Sequence, residues 1–151
     1  TLWAERYERV VEDVFNLQVD IMDQELFDSL VPFTHAVADY SRWKAFTPHD
    51  DDIFVCTPAK CGTTWTQTIC CNLIRPDGDL PAPVSELSPW IEAVFTPEEE
   101  MHEALRKQTT RRVLKSHSQA ESIPWYESAK YIFVVRDGRD VFMSMVNLSD
   151  A

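Results

Sequence analysis

No run of apolar residues in this chain reaches the roughly 20 that a bilayer-crossing helix needs, so a membrane-spanning helix is excluded. Positive charge is scarce too: 14 Lys and Arg stand against 25 Asp and Glu, a net charge of −11 with a pI near 4.7. That balance argues against a general nucleic-acid binder, which would show a basic face. Cysteine is confined to positions 56, 61, 70 and 71, two of them adjacent. All fall within one strand-loop-helix pattern, where no disulfide framework closes and no second pair of metal ligands is spaced for zinc. They read as reduced thiols, and the expected compartment is cytoplasmic. No repeat, low-complexity tract or linker divides the 151 residues, enough for a single domain with a real core. The opening Thr1-Leu-Trp-Ala-Glu-Arg-Tyr-Glu carries no signal-peptide pattern, and Thr1 in place of an initiator Met points to a start further upstream.

What the chain does have is Asp50-Asp-Asp-Ile-Phe-Val-Cys-Thr-Pro-Ala-Lys-Cys-Gly-Thr-Thr-Trp65. Ile53 to Cys56 is a short β-branched and apolar run after an acidic turn, the pattern of a buried strand. Pro58 and Gly62 end it in a tight loop around Lys60. From Thr63 the period changes, and Trp65, Ile69 and Leu73 mark one face of a helix. A helix start offers free amides and positive potential to the loop before it. With the Lys60 ammonium and the hydroxyls of Thr63 and Thr64, a phosphate-type anion is the natural ligand. An ordinary turn with a solvated lysine is the alternative. The loop is not G-x-x-x-x-G-K-[ST], because its Lys precedes the Gly and no Gly opens it.

Elsewhere the pattern alternates. Helical spacing is expected over Leu2–Phe15 and Ile21–Leu30, with residues 1–50 forming a helical N-terminal segment and 51–151 the cofactor-binding core. Trp43 and Phe46 are expected to pack against the domain. His49 beside three Asp reads as a solvated turn before it reads as a metal site. Thr96-Pro97-Glu-Glu-Glu predicts a helix with Thr96 as cap and Pro97 in its first position, running to about Gln108. Arg112–Lys115 predicts a second strand, Ser122–Glu127 a helical turn, and Tyr131–Val135 a central parallel strand; a further helix begins near Val141. The sum is an α/β domain, a three-layer parallel sheet with helices on both faces. Ligands of such sheets bind at the carboxyl ends of the strands, which draws Lys60, Lys115, His117 and Arg136 to one edge. The cations available for an anionic ligand are Lys60, Arg111, Arg112, Lys115, Arg136 and Arg139. His117, past a strand end and beside Lys115, is either a proton acceptor or a surface-loop histidine. Arg136 either forks a phosphate or joins Asp137 and Asp140 in a surface network.

Lys60-Cys-Gly-Thr-Thr-Trp65 resembles the Lys-Ser-Gly-Thr-Thr-Trp loop of the cytosolic-type sulfotransferases. Lys115-Ser-His117 resembles their Lys-Thr-His segment, and Arg136 with Ser144 meets their Arg-(x7)-Ser spacing. The similarity runs from about Asp52 to Asn147. It implies a P-loop NTPase-like fold and in-line sulfuryl transfer from 3′-phosphoadenosine 5′-phosphosulfate (PAPS) to a hydroxyl or amine of a small-molecule acceptor. It further implies His117 as the base, with Lys60 and Lys115 neutralising the leaving phosphate. Lys60, Cys61, Gly62, Thr63 and Thr64 would hold the 5′-phosphosulfate, and Arg136 and Ser144 the 3′-phosphate. Trp65 would stack on adenine, although its helix position equally suits the core. No metal is required. Trp90, Phe95 and Phe46 are candidates for the acceptor pocket.

Two departures stand out. Pro58-Ala59 replaces the family's Tyr-Pro, and Cys61 replaces a Ser, removing a hydroxyl donor but not the backbone donors. Family chains also continue to an Arg-Lys-Gly segment that closes over the 3′-phosphate, and nothing here matches it, so the expectation is a single domain incomplete at its C-terminus. Competing readings are a P-loop-type nucleotide or small-molecule kinase, which would need a Lys directly after the loop Gly, and a non-catalytic nucleotide-phosphate binding fragment. Acceptor identity and oligomeric state are not readable from the sequence.

Overall fold

The structure is a computed structural model that describes residues 34–75, 79–119 and 122–149. The helices expected over 2–15 and 21–30 lie outside the described residues. The chain enters through a short antiparallel hairpin, β1 (Thr34–His35) and β2 (Ala38–Asp39), and a 3-10 helix, Tyr40–Ala45. Asp39 caps that helix, its carboxylate accepting from the Ser41 amide.

β3 (Ile53–Cys56) is the axis of the molecule. All its residues are buried, and it pairs in parallel with β4 (Val113–Ser116) on one side and β5 (Lys130–Phe133) on the other. The register sets Cys56 beside Ser116 and Phe133, so the three strands finish level. Strand alternation then splits the core in two. Phe54, Cys56 and Leu114 face Trp43, Phe46, Ile91 and the buried side chains Met101 and Leu105 of α3 (Glu98–Arg106). Ile53, Val55 and Val113 face Cys70 and Cys71 of α1 (Thr63–Leu73) and the short α2 (Val84–Leu87). Helices therefore cover both faces of the sheet, as the alternating pattern requires. A last helix, α4 (Gly138–Ser149), follows β5.

Four expectations are corrected. The Tyr131–Val135 run is not the central strand: β5 covers residues 130–133 at one side of the described sheet, with Phe133 and Val135 exposed. A continuous apolar run reports the capacity to be buried, whereas β3 holds the middle because strands flank it on both sides. The Trp65, Ile69 and Leu73 stripe points outward, at 80%, 54% and 76% exposure. α1 instead lays Thr63, Gln67, Cys70 and Cys71 on the sheet, because the Gln67 amide finds both the Ser88 carbonyl (2.8 Å) and hydroxyl (2.9 Å) there. A buried amide with two partners costs little to bury, so polarity alone did not force that face outward. Of the helical turn expected over 122–127 only Ser122 is 3-10 helical, and the chain then runs on irregularly to a turn at 127–128, held by Tyr131, whose hydroxyl accepts from the Tyr126 amide (2.9 Å) and donates to the Pro124 carbonyl (2.8 Å). α3 starts one residue late, with Pro97 in the cap position.

Candidate active site at the carboxyl edge of the sheet

Because the strands finish level, the segments that leave them meet. After Cys56 the chain turns through Thr57–Gly62. Gly62, at φ 101°, caps α1, and Lys60 is itself left-handed at φ 63°. The hydroxyls of Thr57 and Thr63 bond each other across this loop, tying the strand end to the first helical residue. The amides that open α1 have no partner within their own helix and face the loop. Cys61 is buried, and its amide closes the turn onto the Pro58 carbonyl (3.4 Å). Thr64 is exposed.

His117 follows β4. Its Nδ1 donates to the Thr57 carbonyl (2.6 Å), which leaves Nε2 as the basic nitrogen of the neutral ring. The edge of its ring meets Trp90 at a centroid separation of 5.0 Å. Burial, above all, holds the imidazole below its usual value; the Lys115 charge pushes the same way, while the Thr57 carbonyl and Glu92 oppose. Lys115 is half-buried, with Nζ 4.5 Å from the Trp90 ring centroid; burial lowers its pKa, and the Glu92 charge resists that. Arg136, after β5, reaches back so that Nη1 donates to the Lys60 carbonyl (3.4 Å), and it pairs with Asp140 at 3.7 Å. Ser144 lies on α4, half-buried.

The edge therefore collects Lys60, Gly62, Thr63, Lys115, His117 and Arg136. It does not collect all the expected cations. Arg112 is buried at the opposite end of β4, its guanidinium gripping Asp52 through bonds of 2.8 and 2.5 Å. Arg111 pairs there with Asp51 (3.1 Å), and Arg139 with Asp137 (3.0 Å). His49 sits in a turn, its amide donating to Asp52 (2.8 Å). Trp65 is not in the core, so its exposed ring is open to a ligand.

A cavity of about 760 Å³ is lined by Lys115, Trp90, Phe95, Met101, Thr64 and Gln67 among others. Phe46 is not part of it; the ring is packed between Trp43 and Phe54 at 5.5 and 5.8 Å. The four cysteines are free and buried, and burial raises the Cys56 thiol to about 12. Sequence reasoning passed over Thr57, Ser116, Ser118 and Glu92. Ser116 was visible inside Lys115-Ser-His117, but Glu92 carries no local signal that separates it from a surface glutamate.

A sulfotransferase domain is matched over residues 50–151. The glycolipid sulfotransferase of Mycobacterium tuberculosis is 37% identical over 116 residues, covering 77% of this chain and 36% of its own length. Human sulfotransferase 1C2 is 30% identical over 115 residues, covering 72% of this chain and 38% of its own. Among solved structures, mouse sulfotransferase SULT7A1 complexed with PAP superposes with a TM-score of 0.54 at 24% identity, over 87% of this chain and 40% of that one. The chain thus spans well under half the length of the relatives it matches.

Proposed function

The chain belongs to the sulfotransferase family, and from that premise we propose that the protein it represents moves a sulfuryl group from PAPS to a hydroxyl or amine of a small-molecule acceptor. The observation that carries the reading is His117. Its Nδ1–H is engaged by the Thr57 carbonyl, so the ring presents Nε2, and burial keeps it neutral near pH 7. A neutral, fixed imidazole packed against Trp90, a wall residue of the cavity, is a general base in waiting. Lys60 and Lys115 supply charge to the oxygen that becomes the leaving phosphate. The first amides of α1, with Thr63 and Thr64, suit a 5′-phosphate, and Arg136 with Ser144 a 3′-phosphate. Trp65 offers an exposed face for adenine.

The donor set fits such a co-substrate: it is cationic, rich in backbone amides and gathered at one edge in a chain whose net charge is −11. PAPS supplies the activated sulfate; the chain orients it and takes the acceptor proton. The cavity wall of Trp90, Phe95 and Met101 favours an acceptor with an apolar body and a hydroxyl or amine that reaches His117. The relative named a glycolipid sulfotransferase is in keeping with an amphiphilic acceptor. No helix among the described residues is long and apolar enough to cross a membrane, and a cytoplasmic setting is part of the proposal.

Transfer of radiolabelled sulfate from PAPS to a panel of phenols, alcohols, amines and glycolipids is the test. Label is expected on an acceptor. Binding of 3′-phosphoadenosine 5′-phosphate without transfer to any acceptor would leave a binding module, and no binding would overturn the reading.

A further inference from the structure

Glu92 is fully buried, and none of the chemistry above uses it. A buried carboxylate is costly unless its oxygens are well partnered. Here Oε1 takes everything: the indole Nε1 of Trp43 donates to it at 2.8 Å, the Ser116 hydroxyl at 2.5 Å, and the Ser118 hydroxyl as well. Oε2 is buried without a hydrogen-bond partner. Ser116 Oγ also accepts from the Ser118 amide (3.0 Å), which closes the chain around residue 117. The backbone repeats the tie. Lys115 donates to the Pro89 carbonyl (2.9 Å) and accepts from the Ile91 amide (3.2 Å), so segment 89–91 runs beside β4. Trp90 of that segment touches both Lys115 and His117.

We propose that Glu92 is the positioning residue of this site: its carboxylate fastens Ser116 and Ser118, on either side of His117, and so fixes where the base and Lys115 point. The inference rests on the sulfotransferase reading for its catalytic meaning but not for its geometry. A single anchor at the centre of a core, joined to both neighbours of the base, does what a solvent-exposed loop cannot. A misplacement of about 1 Å at a reacting group costs on the order of 100-fold in rate. The same charge also acts on the ring. The titratable groups that act on His117 are Lys115, near the end of the strand that precedes it, and Glu92, across the segment, and they pull in opposite directions.

Glu92→Gln keeps an acceptor oxygen for the three donors and removes the charge. The His117 ring, assigned by its loss in His117→Ala and followed by NMR titration, should then titrate at lower pH, because a stabilising negative charge has gone. Where turnover is measurable, the acidic limb of kcat/KM should move down with it. Glu92→Asp keeps the charge and withdraws it by one methylene; kcat should fall about 100-fold with the affinity for 3′-phosphoadenosine 5′-phosphate unchanged. Ser116→Ala removes one anchor only and should lower kcat in the same way, which covers the case where a Glu92 variant fails to fold. A folded Glu92→Gln with an unmoved His117 midpoint, or a folded Ser116→Ala with wild-type kcat, would overturn the proposal. Absence of sulfuryl transfer in the unaltered protein would strike the functional reading instead, and the NMR titration would still report on Glu92.

Discussion

The two ends of β4 carry cations with opposite fates. At the amino end Arg112 is buried and spent: Asp52 binds it through two oxygens, and the Thr47 carbonyl takes a further donor (3.1 Å). At the carboxyl end Lys115 lies over an aromatic ring and His117 on a backbone carbonyl, and among the described residues neither is in an ion pair with an acid. The strand between them is only four residues long. A cation matched by a carboxylate stabilises the fold. A cation held by neutral partners keeps its charge, or its proton capacity, for something that arrives from outside. This separates the cations that a count of Lys and Arg lumps together.

The largest expected effect lies at the carboxyl end. His117→Ala should lower turnover by about two to four orders of magnitude while denaturation midpoint and binding of 3′-phosphoadenosine 5′-phosphate stay close to wild type. Since burial holds the imidazole below its ordinary value of 6.5, the ring stays neutral to lower pH, and the acidic limb of kcat/KM should lie below that value. A limb at or above it would mean that another group titrates. Next comes the amino end, where Arg112→Met strands a buried Asp52 and should cost roughly 3–5 kcal/mol of stability in urea unfolding. If stability held and only turnover fell, the contrast between the two ends would be wrong. Arg136→Ala should weaken binding of 3′-phosphoadenosine 5′-phosphate about tenfold or more in calorimetry, with little change for adenosine 5′-phosphate, since a charged hydrogen bond is worth about 1.5–3 kcal/mol. Equal losses for both ligands would place Arg136 elsewhere. Arg111→Ala, which breaks an exposed pair, should change stability by less than about 1 kcal/mol and leave binding untouched.

Much of this was readable in the residues, for identifiable reasons. β3 was clear because a four-residue apolar run bounded by an acidic turn and a Pro-Gly loop admits few other structures. The edge that gathers Lys60, Lys115, His117 and Arg136 followed from one topological rule. The orientation of α1 was not readable, because Gln67 becomes an inward residue only once Ser88 is known to lie beneath it. Arg112 read as a free cation for the same reason: Asp52 lies sixty positions away in sequence, and register, not pattern, brings them together. Glu92 belongs with these, since its meaning depends on Trp43, Ser116 and Ser118, none of them its sequence neighbour.

The left-handed backbone at Lys60 has a consequence for how the loop is to be understood. Two described residues other than glycine adopt positive φ, Asp51 at 68° and Lys60 at 63°. Asp is among the residues that tolerate this conformation, and Asp51 also ties down Arg111. Lysine has no such aptitude: its Cβ meets the following carbonyl at a cost of about 1–2 kcal/mol that glycine escapes. A chain chosen for folding alone would carry glycine at position 60, as it does at position 62. Local preference and the occupant of the site disagree at this one point, and such disagreements persist where a side chain is wanted for a reason other than stability. The left-handed peptide unit at Lys60 thus agrees with the proposed role of its ammonium, and it is an observation separate from any likeness to another protein.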